Sequence, residues 1–302
     1  MNDKLLYTGA SGFLGYNTLP QLRERYDVTT LGQTERDMIR CDLATNVPPL
    51  SERYDVVLHA AGKAHIIPRT EEERRSFYEV NVGGTRHLCK ALEQVGVPRA
   101  FIFISTVAVY GLETGEEIGE EHPLNGGTPY ADSKIEAEHF LEGWCAKHQV
   151  VLTILRPSLL AGMRATGNLG DMINGIRKGF YLNIGKGDAR RSVSMAADIS
   201  RLLPMVQDKG GVYNLADNHQ PSFGELSVRI AQLMGKKPPI SIPLWIAKIM
   251  ARVGDMLGKK SPFNSTKLNK MTHSLTFSNR KLRTEIGFEP SEVLEELKIG
   301  RG

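Results

Sequence analysis

The sequence predicts an α/β protein: a Rossmann-type doubly wound parallel sheet with a smaller, mostly helical C-terminal lobe. Three observations predict it. Short apolar, β-branched runs alternate with longer helical patterns through the first half. A glycine-rich turn follows the first run. After about Pro157 the alternation weakens.

The runs cover residues 5–8, 27–31, 56–59, 100–104 and 151–155. They are near-continuously apolar rather than alternating, the pattern of strands buried on both faces of a helix-covered parallel sheet. Helical patterns fill residues 14–25, 71–95 and 129–147, and strand–helix alternation of this kind gives a doubly wound fold. Thr70 with Glu73 reads as a capping box, so the charge run at 71–75 is expected to be a solvated helix start rather than a binding patch. Glycines crowd residues 162–187, one more strand is expected at 212–215, and the last third is mostly helical. The expected division is a dinucleotide-binding domain over 1–158 with 192–216, and a substrate lobe over 159–191 with 217–302. Within that lobe Leu244, Trp245, Ile246, Ile249, Met250, Val253 and Leu257 recur at helical spacing, with Lys248 and Arg252 between them. The first reading is a helix covering the lobe's core, the second a helix lying on a membrane surface.

A chain of 302 residues allows a large domain plus a lobe. Its 41% apolar and 24% charged residues are ordinary for a globular protein. No run of roughly 18 apolar residues exists, so no membrane span is expected. Met1-Asn2-Asp3-Lys4 leads straight into an apolar strand without a signal-peptide core, so a cytoplasmic location is expected. Cys41, Cys89 and Cys145 form no C-x-x-C pair; free thiols are expected and no metal site. The net charge of +4 suits a diphosphate ligand and is too small and dispersed for nucleic acid.

Thr8-Gly9-Ala10-Ser11-Gly12-Phe13-Leu14-Gly15 follows the first strand and opens a helix, with the spacing G-x-x-G-x-x-G. Gly9 permits a sharp exit from the strand, Gly12 lets the backbone approach a pyrophosphate, and Gly15 lets helix and sheet pack closely. The helix start then offers free amides and a partial positive charge to phosphates. An acid closing the second strand would bind the 2′-hydroxyl of NAD. The segment Leu31-Gly32-Gln33-Thr34-Glu35-Arg36 has no acid at the strand end, and Arg36 could face a 2′-phosphate. NADP(H) is therefore favoured over NAD(H), with Glu35 keeping NAD open.

Tyr130-Ala131-Asp132-Ser133-Lys134 follows Pro129 at an expected helix start. Positions i and i+4 share a helix face, so phenol and ammonium can address one site. Proton exchange with an alcohol near neutral pH wants a phenol about three pKa units below its usual value, roughly 4 kcal/mol of anion stabilisation. A neighbouring lysine, with an oxidised nicotinamide, can supply that. Thr106 ends the 100–104 strand, 24 residues before Tyr130. A hydroxyl there faces the ligand crevice of a parallel sheet.

With these motifs the chain resembles the extended short-chain dehydrogenases/reductases, the NAD-dependent epimerase/dehydratase group that includes nucleotide-sugar 4-epimerases and 4-ketoreductases. The resemblance implies a catalytic trio of Thr106, Tyr130 and Lys134. It implies cofactor contacts at Gly9, Ser11, Gly12, Phe13, Leu14 and Gly15 in the loop, and at Arg36 and Asp42-Leu43 near the adenosine. Further cofactor contacts are implied at Ala60, Ala61, Gly62, Asn81, Ile104, Ser105 and Pro157, besides Tyr130 and Lys134. Lys63, His65, Thr106, Asn168, Leu169 and Arg191 are implied on the substrate side. A nucleotide-sugar substrate and a homodimer are the implied partners.

The departures bear on the reaction. Dehydratases of the group carry Asp-Glu after the threonine, where this chain has Val107-Ala108, so dehydration is not expected. Epimerases carry an asparagine where this chain has Leu159. The first expectation is reduction of a 4-keto-6-deoxy sugar nucleotide in surface-polysaccharide synthesis. The second is 4-epimerisation with tightly bound NAD. A non-enzymatic dinucleotide sensor or assembly factor is a third reading, disfavoured because both Tyr130 and Lys134 are present.

Overall fold

The structure is a computed structural model and describes residues 2–64, 66–257 and 263–300. In chain order the strands are β1 (Lys4–Thr8), β2 (Asp27–Gly32), β3 (Ile39–Arg40), β4 (Val56–His59), β5 (Ala100–Ile104), β6 (Gly115–Ile118), β7 (Val151–Pro157), β8 (Leu159–Ala161), β9 (Asn183–Ile184), β10 (Val193–Met195), β11 (Gly211–Leu215), β12 (Ser241–Ile242) and β13 (Leu275–Phe277). The helices are α1 (Phe13–Arg23), α2 (Glu71–Tyr78), α3 (Gly84–Val95), α4 (Pro129–His148), α5 (Gly167–Lys178), α6 (Asp198–Val206), α7 (Phe223–Leu233), α8 (Leu244–Leu257), α9 (Ser265–Thr272) and α10 (Val293–Glu296).

Seven parallel strands form the main sheet in the order β11-β7-β5-β4-β1-β2-β3. Successive side chains point to opposite faces, and β1 shows why both faces are covered. Leu5 and Tyr7 pack with Leu14 and Leu22 of α1 and Ile199 and Leu202 of α6. Leu6, between them, packs with Leu88 and Leu92 of α3 and Leu141 and Trp144 of α4. The apolar runs are thus the two-sided strands of a doubly wound sheet. Strand order reverses at β1, which pairs with β2 on one side and β4 on the other. Ligands bind such sheets in the crevice beyond the carboxyl ends at that point.

The capping box forms: Thr70 Oγ1 accepts from the Glu73 amide at 3.1 Å, and the Glu73 carboxylate accepts from the Thr70 amide at 3.3 Å. The helical stretch 71–95 contains one π turn, Glu79–Gly83, that periodicity does not foretell. Outside the main sheet, β8 pairs with β10, β9 with β12 and β6 with β13. Of residues 192–216, then, β11 joins the main sheet and β10 does not. Helices α5 and α7 close a second core around Ala161, Leu169, Val193 and Leu226. All three cysteines are free and buried.

Helix α8 departs from the first expectation for its apolar residues. Its buried positions are the small ones, Ala247, Ala251 and Gly254, and most of its large apolar side chains face water. Among the described residues, no helix is long and apolar enough to cross a membrane.

Candidate active site

The glycine turn connects β1 to α1 at the reversal point. Gly9 has φ +76°, and a Cβ there would stand 2.8 Å from the Ala61 amide nitrogen. A Cβ on Gly15 would meet the Ala10 carbonyl oxygen at 1.8 Å. Both positions require glycine. Gly12 is exposed, and no side chain caps α1 behind it. The first-turn amides of Phe13 and Leu14 can therefore serve an anion. The Leu14 side chain itself lies in the core, and Ser11 is half-buried in the turn. Thr8 ties this turn to β4: its hydroxyl meets His59 Nδ1 at 2.6 Å and accepts from the Ala61 amide at 3.2 Å. His59 Nε2 meets the Thr85 hydroxyl at 2.9 Å. Burial, with Lys134 nearby, lowers the His59 pKa to about 3, so its ring is neutral.

Around β2, Arg36 is exposed. The sequence puts no acid at the strand end, yet folding brings one there. Asp37 is buried, and a Cβ on Gly32 would lie 2.5 Å from its Oδ2. That oxygen already accepts from the Thr34 amide and hydroxyl, at 3.0 and 2.8 Å. Asp42 accepts from Gln33 Nε2 at 2.6 Å, and both line an open cleft of about 580 Å³ with Arg40 and Asn46. Leu43 is a core residue whose carbonyl receives His87 Nδ1 at 2.7 Å.

At the carboxyl ends of β4 and β5 the candidate trio comes together. Tyr130 is in the first turn of α4, which starts at Pro129 behind the Thr128 cap. Its hydroxyl lies beside the Thr106 side chain. Lys134, one turn on, is buried; its ammonium donates to the Ile104 carbonyl at 2.9 Å and sits 4.5 Å from the Phe103 ring centroid. A Cβ on Gly62 would lie 3.0 Å from Asn81 Oδ1 and 3.3 Å from Lys134 Nζ. Ala60, Ala61 and Gly62 thus form a floor that runs from the glycine turn to the lysine. Asn81, in the π turn, accepts from the Lys63 amide at 2.7 Å and donates to the Lys63 carbonyl at 3.2 Å and the Ser133 hydroxyl at 2.9 Å. Pro157 closes β7 and is buried.

One charge expectation and two side-chain placements need correction. Burial raises the Tyr130 pKa, the neighbouring Thr106 side chain opposing it. The chain by itself therefore does not make the phenol acidic; loss of water around it outweighs its neighbours. The lysine carries the depression instead: burial brings Lys134 down to about 8, with Glu138 holding it up. Ser105 also differs. Its hydroxyl points into α4 and donates to Glu138, leaving only its backbone for a cofactor. Likewise the Lys63 ammonium turns away to Ser76 Oγ, 2.6 Å, and over Phe77.

On the substrate side, Asn168 is exposed at the start of α5, whose cap residue Thr166 makes no side-chain bond. Leu169 is 1% exposed in the lobe core, so it can offer a ligand only backbone. Arg191 donates to the Lys270 carbonyl and lies 5.6 Å from the Phe223 ring centroid. Its Nη1 is buried without a partner, and burial lowers its pKa. His65 lies outside the described residues.

Sequence reasoning missed Glu138. It is fully buried and joins Ser105, Arg156 and, through Arg156, Tyr110. Its only sequence signal is its place one turn beyond Lys134. Asn17 was missed too; it pins α1 to Met163 through both amide atoms, at 3.0 and 2.9 Å.

A doubly wound parallel sheet, an uncapped glycine turn at its reversal point and a tyrosine–lysine–threonine cluster beside it define a dinucleotide-dependent enzyme. The chain belongs to the NAD dependent epimerase/dehydratase family, whose model matches residues 5–216. It is similar to N-acetyl-alpha-D-glucosaminyl-diphospho-ditrans,octacis-undecaprenol 4-epimerase of Escherichia coli O157:H7, at 28% identity over 98% of this chain and 93% of that one. It is also similar to GDP-6-deoxy-D-mannose reductase of Pseudomonas aeruginosa, at 27% identity over 77% of this chain and 81% of that one. The fold is shared with MoeE5 in complex with UDP-glucose and NAD, at TM-score 0.74 and 21% identity, covering 97% of this chain and 95% of that one.

Proposed function

We propose that this enzyme moves a hydride to or from carbon 4 of a sugar joined to a diphosphate. The observation that carries the reading is Tyr130 beside Thr106, one helical turn from a lysine whose ammonium is held on the Ile104 carbonyl at the end of β5. NAD(P), when bound, supplies or accepts the hydride at its nicotinamide ring. The residues fit such a cofactor: Gly9 and Gly15 admit no side chain, and the amides behind Gly12 have no side-chain cap. Asp42 and Gln33 would hold the adenosine end, Lys134 the nicotinamide ribose, and the Ala60–Gly62 floor the span between. Tyr130 gives or takes the hydroxyl proton at C4, and Thr106 orients the sugar oxygen. The charge of an oxidised ring would supply the anion stabilisation that the chain lacks. The partnerless Nη1 of Arg191 is suited to a phosphoryl oxygen.

Epimerisation at C4 is the reading we place first. Asp37 folded against the end of β2 removes part of the case against NAD, and the undecaprenol-linked relative, itself a 4-epimerase, spans nearly the full chain. Reduction of a 4-keto-6-deoxy sugar nucleotide, the first expectation from the sequence, becomes the second reading, favoured by exposed Arg36, which suits a 2′-phosphate. Val107 and Ala108 offer no acid or base for dehydration. The nucleotide-free relative's name and the reductase's name share a sugar diphosphate and differ in its carrier. The experiment is to purify the protein, identify any retained cofactor by mass spectrometry, and assay both reactions. Retained NAD with interconversion of C4 epimers supports the first reading. An empty site that consumes NADPH only with a 4-keto sugar replaces it with the second. Neither binding NAD(P) nor turning over either substrate overturns both.

A further inference from the structure

Helix α8 closes a small core through its small residues and turns its large apolar ones outward. Ala247 and Ala251 lie inward against Ile184 and Leu268. Trp245, Ile249, Val253 and Met256 are 64%, 54%, 50% and 88% exposed. These four stand at i, i+4, i+8 and i+11, a single line along the outer face. Single exposed apolar residues are ordinary; a continuous line of large ones marks an interaction surface.

The sequence around α8 is strongly basic, although Lys270 pairs with Glu113 at 3.6 Å. From Lys236 to Lys270 the sequence carries eight lysines and arginines and one acid, Asp255. That surplus of seven exceeds the net +4 of the whole chain, so the rest of the protein is net acidic. Asp255 is engaged at the start of α9 by the amide and hydroxyl of Ser265. Lys248 and Arg252 stand exposed beside the apolar line.

A second copy docking face to face across a two-fold axis would bring these cations together. An anionic bilayer answers both features, taking the apolar line among its acyl chains and the cations among its headgroups. Tryptophan is at home at that depth. The helix has 14 residues, too few to span. We propose that the outer face of α8 docks this protein in the plane of an anionic membrane surface. The inner face of α8 packs on α9 through Leu268, and α9 in turn reaches the candidate substrate site, since the Lys270 carbonyl receives Arg191. Docking would thus hold the site next to sugars carried on a membrane lipid diphosphate. This last step rests on the proposed function; docking itself does not.

The test uses the full chain with vesicles of phosphatidylcholine, alone or mixed with phosphatidylglycerol. Trp144 is buried and Trp245 exposed, so a change in tryptophan emission reports α8. Expected are co-sedimentation with the mixed vesicles, a blue shift, and weakening of both by salt. The exposed-face variant Trp245→Ser/Ile249→Ser/Val253→Ser should bind mixed vesicles at least about tenfold more weakly while keeping NAD(P) affinity and turnover of a water-soluble substrate. Wild-type protein left in the supernatant at low ionic strength would overturn the proposal. So would a dimer that the triple substitution dissociates while vesicle binding is absent, which makes a second copy the occupant. Vesicle binding with no NAD(P) binding or turnover would leave docking standing and remove the function proposed above.

Discussion

Glu138 on α4 and Arg156 on β7 form a buried ion pair, with Arg156 Nη2 2.6 Å from Glu138 Oε2. The same carboxylate receives Ser105, and Arg156 Nη1 reaches Tyr110 at 3.1 Å, which donates to Asn214 on β11 at 2.7 Å. The helix that carries Tyr130 and Lys134 is thereby locked to β7, to β11 and to the residue that follows β5. Glu138→Ala leaves a buried guanidinium without its partner and should cost about 3–5 kcal/mol of stability. Denaturant unfolding measures this; a loss below about 1 kcal/mol would mean that water or another group takes over.

Gly62 faces Asn81 and Lys134 without room to spare. Gly62→Ala should weaken NAD(P) binding about tenfold while changing stability by less than about 1 kcal/mol, because the new methyl stands in the cofactor floor rather than the core. Isothermal titration together with thermal unfolding separates the two effects. Equal affinity would place the cofactor elsewhere.

Lys134 gives the site its pH dependence. Its proton is held less tightly in the folded protein, about 8, than at the ordinary lysine value of 10.5. Folding is penalised while the lysine is charged in both states, below about 8, and that penalty relaxes between about 8 and 10.5. Cofactor affinity should move oppositely, falling as pH rises through about 8 and the ammonium is lost. Lys134→Met should remove the pH step and lower affinity throughout, as read by fluorescence titration across pH.

His59 contributes at the acid end. Its folded value near 3 lies below the ordinary 6.5, so the unfolded chain binds the extra proton. Stability from this group is complete above about 6.5 and is lost as pH falls toward 3, at about 1.4 kcal/mol per unit. His59→Gln should flatten that part of the stability profile; an unchanged slope would show that other groups set it.

What was legible in the sequence was local. The five apolar runs, the glycine turn and the Thr70 capping box depend on neighbours in the chain, and all take the expected form. The tyrosine and lysine share a face because α4 is regular. The rest depends on tertiary contact. Asp37 reaches the end of β2 only because the chain folds back over Gly32. Glu138 looks like any helix glutamate until Arg156 arrives from a strand 18 residues on. The outward face of α8 has the periodicity of a core helix, and only the packing of Ala247 and Ala251 distinguishes the two. The raised phenol of Tyr130 reflects burial, which a spacing of i, i+4 does not encode.

The chemistry assigned to Tyr130 is tested most directly by single-turnover hydride transfer in Tyr130→Phe, followed by the absorbance of the reduced nicotinamide, with matched substrate. The account predicts a rate loss of about 10²- to 10⁴-fold with NAD(P) affinity held near that of the native protein. Hydride transfer at an unchanged rate would contradict it.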